Sequence, residues 1–134
     1  YDVYTVCGDG DMMEGISGEA ASLAGHLHLD NLCWIYDNNH ITIEGNTRIT
    51  FTEDIAARFL GYGWNVLRVG DANDTDRIEH ALEVFRKTKG RPTFVYFGYT
   101  NCPDECPTAM ADIAGALRTT PPISSLSMAT CAAC

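Results

Sequence analysis

Four short apolar runs, separated by stretches of helical spacing, decide what this chain can fold into. Val3 to Cys7, Leu32 to Tyr36, Asn65 to Val69 and Thr93 to Tyr99 are too short for helices and read as buried strands. After the first, Ile16, Ala20, Leu23, Ala24 and Leu27 recur at helical spacing. After the second comes a helix expected to bury Ile55, Phe59 and Leu60 and to stop near Gly61 or Gly63. After the third come Ile78, Ala81, Leu82 and Phe85, and after the fourth Met110, Ile113, Ala114 and Leu117, opened by Pro107 or Thr108. Thr52, followed by Glu53 and Asp54, predicts one helix start, and Thr75 predicts another. Arg86, Lys87 and Lys89 with Gly90 beyond them mark a helix end. Such alternation predicts an α/β fold, a parallel sheet with helices on both faces. Ligands of such sheets bind outside the carboxyl ends of the strands.

Two polar signals fall at that edge. Gly8-Asp9-Gly10 follows the first strand, and Asn39 follows the second in the run Tyr36-Asp37-Asn38-Asn39. A carboxylate and an amide oxygen are hard ligands that suit Mg²⁺ or Ca²⁺ carrying a phosphate ester. Glycines at 8 and 10 let backbone N–H groups come close to that phosphate. Taken singly, each triplet is also what an ordinary tight turn looks like. Ile41-Thr42-Ile43 reads as a brief extended piece closed by Glu44-Gly45-Asn46.

The bulk properties narrow the classes. The 134 residues suit one domain. A net charge of −9 argues against binding nucleic acid or a membrane surface through phosphates. No apolar run approaches the roughly 20 residues of a membrane span. No basic-then-apolar leader precedes the first strand, and the start at Tyr1 predicts a piece cut from something longer. Of six cysteines, Cys7 and Cys33 sit in strand-like runs and are expected in the core. Cys102 and Cys106 form a C-x-x-x-C pair, and Cys131 and Cys134 a terminal C-x-x-C. This is no disulfide framework, so the expected compartment is reducing and cytoplasmic. Thr119-Thr120-Pro121-Pro122 cannot extend a helix, and residues 119–134 are expected to be a loose tail.

The stretch from Gly8-Asp9-Gly10-Asp11-Met12-Met13-Glu14-Gly15-Ile16-Ser17 through Ser22-Leu23-Ala24-Gly25 to Ile35-Tyr36-Asp37-Asn38-Asn39-His40-Ile41-Thr42-Ile43-Glu44-Gly45 resembles the diphosphate-binding domain of transketolases. The likeness continues through Phe59, Tyr62-Gly63-Trp64 and Val66 to Arg91-Pro92-Thr93, and so covers residues 1–93. The resemblance implies a partial thiamine-diphosphate-binding fold. It implies that Asp9 ligates Mg²⁺ through its carboxylate, Asn39 through its amide oxygen and Ile41 through its backbone carbonyl. It implies that Gly8 and Gly10 approach the diphosphate, and that the helix opening near Gly15 points its positive end at the phosphates. Glu14 and Glu19 resemble acids placed near the cofactor at a subunit interface, which implies a homodimer or the remaining transketolase domains as partners. His40 either contacts the cofactor or is solvated, whereas His26, His28 and His80 are expected at the surface. In the family the cofactor takes a two-carbon unit from a ketose, helped by a glutamate on a second domain. No residue of this chain matches that glutamate, so no catalytic residue is assigned and turnover by the chain alone is not expected.

A second resemblance follows. Phe94-Val95-Tyr96-Phe97-Gly98-Tyr99-Thr100-Asn101-Cys102-Pro103-Asp104-Glu105-Cys106-Pro107-Thr108, continuing to about Leu117, is similar to the Sco/SenC copper-chaperone family. It implies a strand-CxxxC-helix segment over residues 94–118 that completes the sheet, with Cys102 and Cys106 as copper ligands. The distal histidine that family uses has no counterpart, since no His follows His80. Three readings stay open: a module binding Mg²⁺ and thiamine diphosphate, a copper or thiol-redox module, and an inactive fusion or truncated product.

Overall fold

The computed structural model describes residues 1–43, 45–98 and 127–130. β1 (Val3–Gly8), β2 (Leu32–Asn38), β5 (Asn65–Val69), β6 (Thr93–Gly98) and β7 (Ser127–Thr130) form one sheet in the order β5-β6-β2-β1-β7. Every pairing in it is parallel. β3 (Ile41–Thr42) and β4 (Gly45–Asn46) make a separate antiparallel ribbon just past β2.

Strand alternation sorts the side chains into two cores, because successive residues point to opposite faces. Cys33, Ile35, Val95 and Phe97 pack with Tyr4 and Val69 against Ile78, Ala81, Leu82 and Phe85 of α4 (Thr75–Lys87). Tyr36 and Phe94 face the other way. They meet Met12 of α1 (Asp9–Met13), Ala21 and Ala24 of α2 (Gly15–His26), and Ile55 and Phe59 of α3 (Ile55–Gly61). The rings of Phe59 and Phe94 stack at 3.8 Å, and Trp64 closes this core by donating its indole N–H to the Ala21 carbonyl at 2.8 Å. The sheet with helices on both faces is the architecture that the alternation predicts, and Cys7 and Cys33 are both buried in it.

Several local expectations are corrected. The helix expected to start at Thr52 starts two residues later, with Asp54 as its N-cap accepting from the Ala57 N–H. Asp74, not Thr75, caps α4 and accepts from the Arg77 N–H. In both cases a carboxylate outcompetes the neighbouring hydroxyl for the exposed N–H groups of the first turn. Of the apolar stripe read for α2, Ala24 is buried, but Ile16, Leu23 and Leu27 are 73%, 57% and 54% exposed. Beside Ala24 the helix buries the small residues Ala21 and Gly25. Leu60, expected in the core, is also exposed. Residues 127–130, expected within a loose tail, are an edge strand on β1, where the backbone N–H and C=O groups of β1 offer a ready partner. The predicted last helix, Tyr99 and the cysteines at 102, 106, 131 and 134 lie outside the described residues.

Candidate functional site

The sheet brings the polar signals together through its register. β1 and β2 are adjacent and parallel, with Gly8 opposite Asp37, so both strands end at one level. Asp9 leaves β1 as the first residue of α1, and Asn39 leaves β2 one residue past its end. The Gly-Asp-Gly element is therefore a strand-to-helix junction and not a free-standing turn. Asp11 fixes it by accepting from the Gly8 N–H at 2.8 Å.

A cleft of about 690 Å³ opens at this edge. Gly8, Asp9, Gly10, Glu14, Asn39 and Ile41, all singled out in the sequence, line it. Glu19 does not, and lies exposed on α2. A Cβ added at Gly8 or Gly10 would meet nothing within 4 Å, and neither residue has a left-handed backbone. Neither packing nor conformation of the described residues explains these two glycines, whose bare backbone borders open cleft.

Asp9 is only 2% exposed. Its carboxylate accepts from the Tyr36 hydroxyl at 2.5 Å and from the His40 backbone N–H at 2.7 Å. Among the described residues no ion pair involves it. A buried anion held by neutral donors is costly to desolvate, and a cation facing it offsets that cost. Burial, with the Asp9 hydrogen bond and charge added, pushes the Tyr36 phenol far up, so it remains a proton donor. Burial likewise raises the Asp37 carboxyl, opposed by a hydrogen bond from Asn39 and reinforced by the charge of Asp9. Asn39 donates through Nδ2 to Asp37 Oδ2 at 3.0 Å, and its Oδ1 accepts from the Ile41 N–H at 2.9 Å. The Asp9 carboxylate, the Asn39 amide oxygen and the Ile41 carbonyl, all on residues that line the cleft, offer an all-oxygen donor set, which fits a hard cation such as Mg²⁺.

His40 enters through its backbone. Its φ of 61° is left-handed, which turns its N–H onto Asp9. His40 also lines a second cleft of about 410 Å³, shared with Asp9, Tyr36, Thr47 and Tyr96. His26, His28 and His80 are exposed. The supporting residues Tyr36, Asp37 and Asp11 were not singled out from the sequence. Asp11 carried a signal, an acid three residues after a helix-start glycine. Tyr36 and Asp37 gave none, since their reach depends on strand register.

A family profile described as the thiamine diphosphate binding domain of transketolase matches residues 1–111. It runs past residue 93, and nothing in the comparisons supports the Sco/SenC-like segment. The transketolase of Geobacillus stearothermophilus is 50% identical over 92 residues, which are 69% of this chain and 14% of that protein. Transketolase 1 of Candida albicans is 48% identical over 94 residues, again 69% and 14%. A structure of Pichia stipitis transketolase with sedoheptulose 7-phosphate superposes with a TM-score of 0.70 at 45% identity, covering 72% of this chain and 14% of that one. Transketolase from Leishmania mexicana gives 0.69 at 40% identity, with the same coverage. The chain thus spans about one-seventh of the length of these relatives. A profile match over most of its length, with close identity in sequence and fold, leaves one conclusion: the chain belongs to the transketolase family, through that family's thiamine diphosphate-binding domain.

Proposed function

We propose that the cleft at the ends of β1 and β2 anchors thiamine diphosphate through a Mg²⁺ ion. The observation that carries this reading is the buried Asp9 carboxylate, held by Tyr36 and His40 and facing a cleft that Asn39 and Ile41 also line. Asp9 would hold the metal by its carboxylate, Asn39 by its amide oxygen and Ile41 by its backbone carbonyl. The bare backbone at Gly8 and Gly10 leaves room for the diphosphate, and a Cβ at either position would take up that room. When bound, the cofactor supplies the two-carbon transfer chemistry of transketolases. This chain's own residues bind and orient; the described part offers the cleft no general base beyond its acids, so we assign it no turnover by itself.

Calorimetric titration with thiamine diphosphate and Mg²⁺ tests the anchor. Saturable binding is expected, lost in Asp9→Ala, which removes the buried charge. No heat at millimolar cofactor, or an unchanged Asp9→Ala isotherm, would overturn the reading and leave an inactive product as the alternative.

A second copy of the chain is the partner we propose for α2. Ile16, Ala20, Leu23 and Leu27 form an exposed apolar stripe, and Glu19, like an interface acid of the family, lies beside it. Sedimentation should show a dimer that Leu23→Glu dissociates; a parent chain that stays monomeric at high micromolar concentration contradicts this.

A further inference from the structure

We propose that Asp37 is a positioning residue that sets the orientation of the Asn39 amide, and so decides which of its atoms faces a cation. The inference rests on the anchor reading above. A carboxamide can present oxygen or nitrogen to the same place, and only the oxygen ligates a metal. Asn39 is constrained from two sides. A carboxylate only accepts, so the Asn39 group at 3.0 Å from Asp37 Oδ2 has to be its NH₂. A backbone N–H only donates, so the Asn39 atom 2.9 Å from the Ile41 nitrogen has to be its oxygen. Two one-way partners leave the amide a single orientation.

Asp37 is itself well placed for this. It lies on an interior strand, opposite Gly8 of β1 on one side and Phe97 of β6 on the other. It follows Cys33 and Ile35 on the face that α4 covers, and it is half-buried. It does not line the cleft, so its contact with a ligand there runs through Asn39. Conserving the orientation of a ligand by a partner behind it is a general device of metal sites, with effects of about 10- to 100-fold on affinity.

The test is a double-mutant cycle read by Mn²⁺ binding, with free Mn²⁺ counted by electron paramagnetic resonance in the presence of saturating thiamine diphosphate. Asp37→Ala in the parent chain should weaken Mn²⁺ binding about 10- to 100-fold. In an Asn39→Asp background the ligand has two equivalent oxygens and needs no orientation, so Asp37→Ala should change affinity by less than about 2-fold or improve it. Asp37→Asn keeps the size but can donate as well as accept. It reopens the choice of orientation and should fall between. A merely structural role, or an effect of charge alone, would weaken both backgrounds equally, and that result overturns the proposal. A second readout needs no metal. The Asn39 side-chain NH₂ resonances of the metal-free chain should shift and exchange faster with solvent in Asp37→Ala, and by less in Asp37→Asn. Unchanged resonances overturn the proposal even if the parent chain binds metal. Moved resonances in a chain that binds no Mn²⁺ support the orienting role and contradict the anchor reading alone.

Discussion

Asp9 is a nearly buried carboxylate with two neutral donors and, among the described residues, no ion-paired cation, and the residues around it follow from that fact. Tyr36 shows what the arrangement costs when a donor is removed. Its ring belongs to the core, stacked on Phe94 at 5.6 Å, while its hydroxyl is spent on Asp9. Tyr36→Phe keeps the ring and deletes the donor. It should lower stability by about 1.5–3 kcal/mol, the usual worth of a hydrogen bond to a charged group. Urea unfolding reads this as a lower midpoint at unchanged slope; an unchanged midpoint would mean that the phenol does not support Asp9. Asp9, Asn39 and the two glycines were legible in the sequence because polar residues and glycines clustered where strands end. Tyr36 was not, because an aromatic residue in an apolar run looks the same whether its hydroxyl is used or idle.

At the scale of elements, α2 separates what periodicity reveals from what it hides. The spacing of Ile16, Leu23, Ala24 and Leu27 correctly signals a helix, yet its large members are exposed and the helix packs on the small residues Ala21, Ala24 and Gly25. The reason is a close approach. A Cβ at Gly25 would come within 2.0 Å of the Tyr62 carbonyl oxygen and 3.4 Å of the Trp64 ring. Backbone cannot retreat from such a clash without moving α2, which follows α1, the short helix that Asp9 opens. Gly25→Ala should therefore destabilise the chain by about 1–3 kcal/mol or more, visible as a drop in thermal midpoint, although Ala is the better helix former. A raised midpoint would show that α2 and the α3–β5 connection are not in contact. Arg58 of α3 ties that helix to α1, donating to the Met12 carbonyl at 3.0 Å, and pairs with Glu53 at 2.9 Å. Helix starts were misplaced by one or two residues because Thr52 and Thr75 stand beside stronger acidic caps. The edge strand over residues 127–130 was missed because its four residues carry no period, and only the presence of β1 gives them a partner.

For the whole molecule, the sheet with a core on each face fixes both stability and the site. The core under α4 buries two titratable groups in neutral form. Burial pushes the Cys33 thiol far above its ordinary value of 9.0, with Asp2 adding and Arg86 opposing. Burial also raises the Tyr4 phenol above 10.0, partly offset by Arg86. In both cases the unfolded chain releases its proton first as pH rises. The stability these groups contribute is thus whole below about pH 9, where the unfolded thiol begins to ionise, and is lost as pH climbs toward the folded values. Urea midpoints measured from pH 7 to 10.5 should fall above pH 9, by about 1.4 kcal/mol per pH unit for each ionising group. Cys33→Ala should flatten the first part of that decline; parallel curves would contradict the assignment. The α/β architecture was legible because its period changes from 2 to 3.6 are local. Strand order and register were not, because they depend on partners distant in sequence, and they are what bring Asp9 beside Asn39. The account's central claim is that these two residues and Ile41 hold one metal ion. A crystal of the chain grown with Mn²⁺ and thiamine diphosphate tests it most directly, through the anomalous signal of manganese. The account predicts one peak at ligand distance, about 2.0–2.2 Å, from the Asp9 carboxylate, the Asn39 amide oxygen and the Ile41 carbonyl, with the diphosphate over Gly8 and Gly10. A cofactor-bound crystal with manganese elsewhere, or with none at these three oxygens, would contradict it.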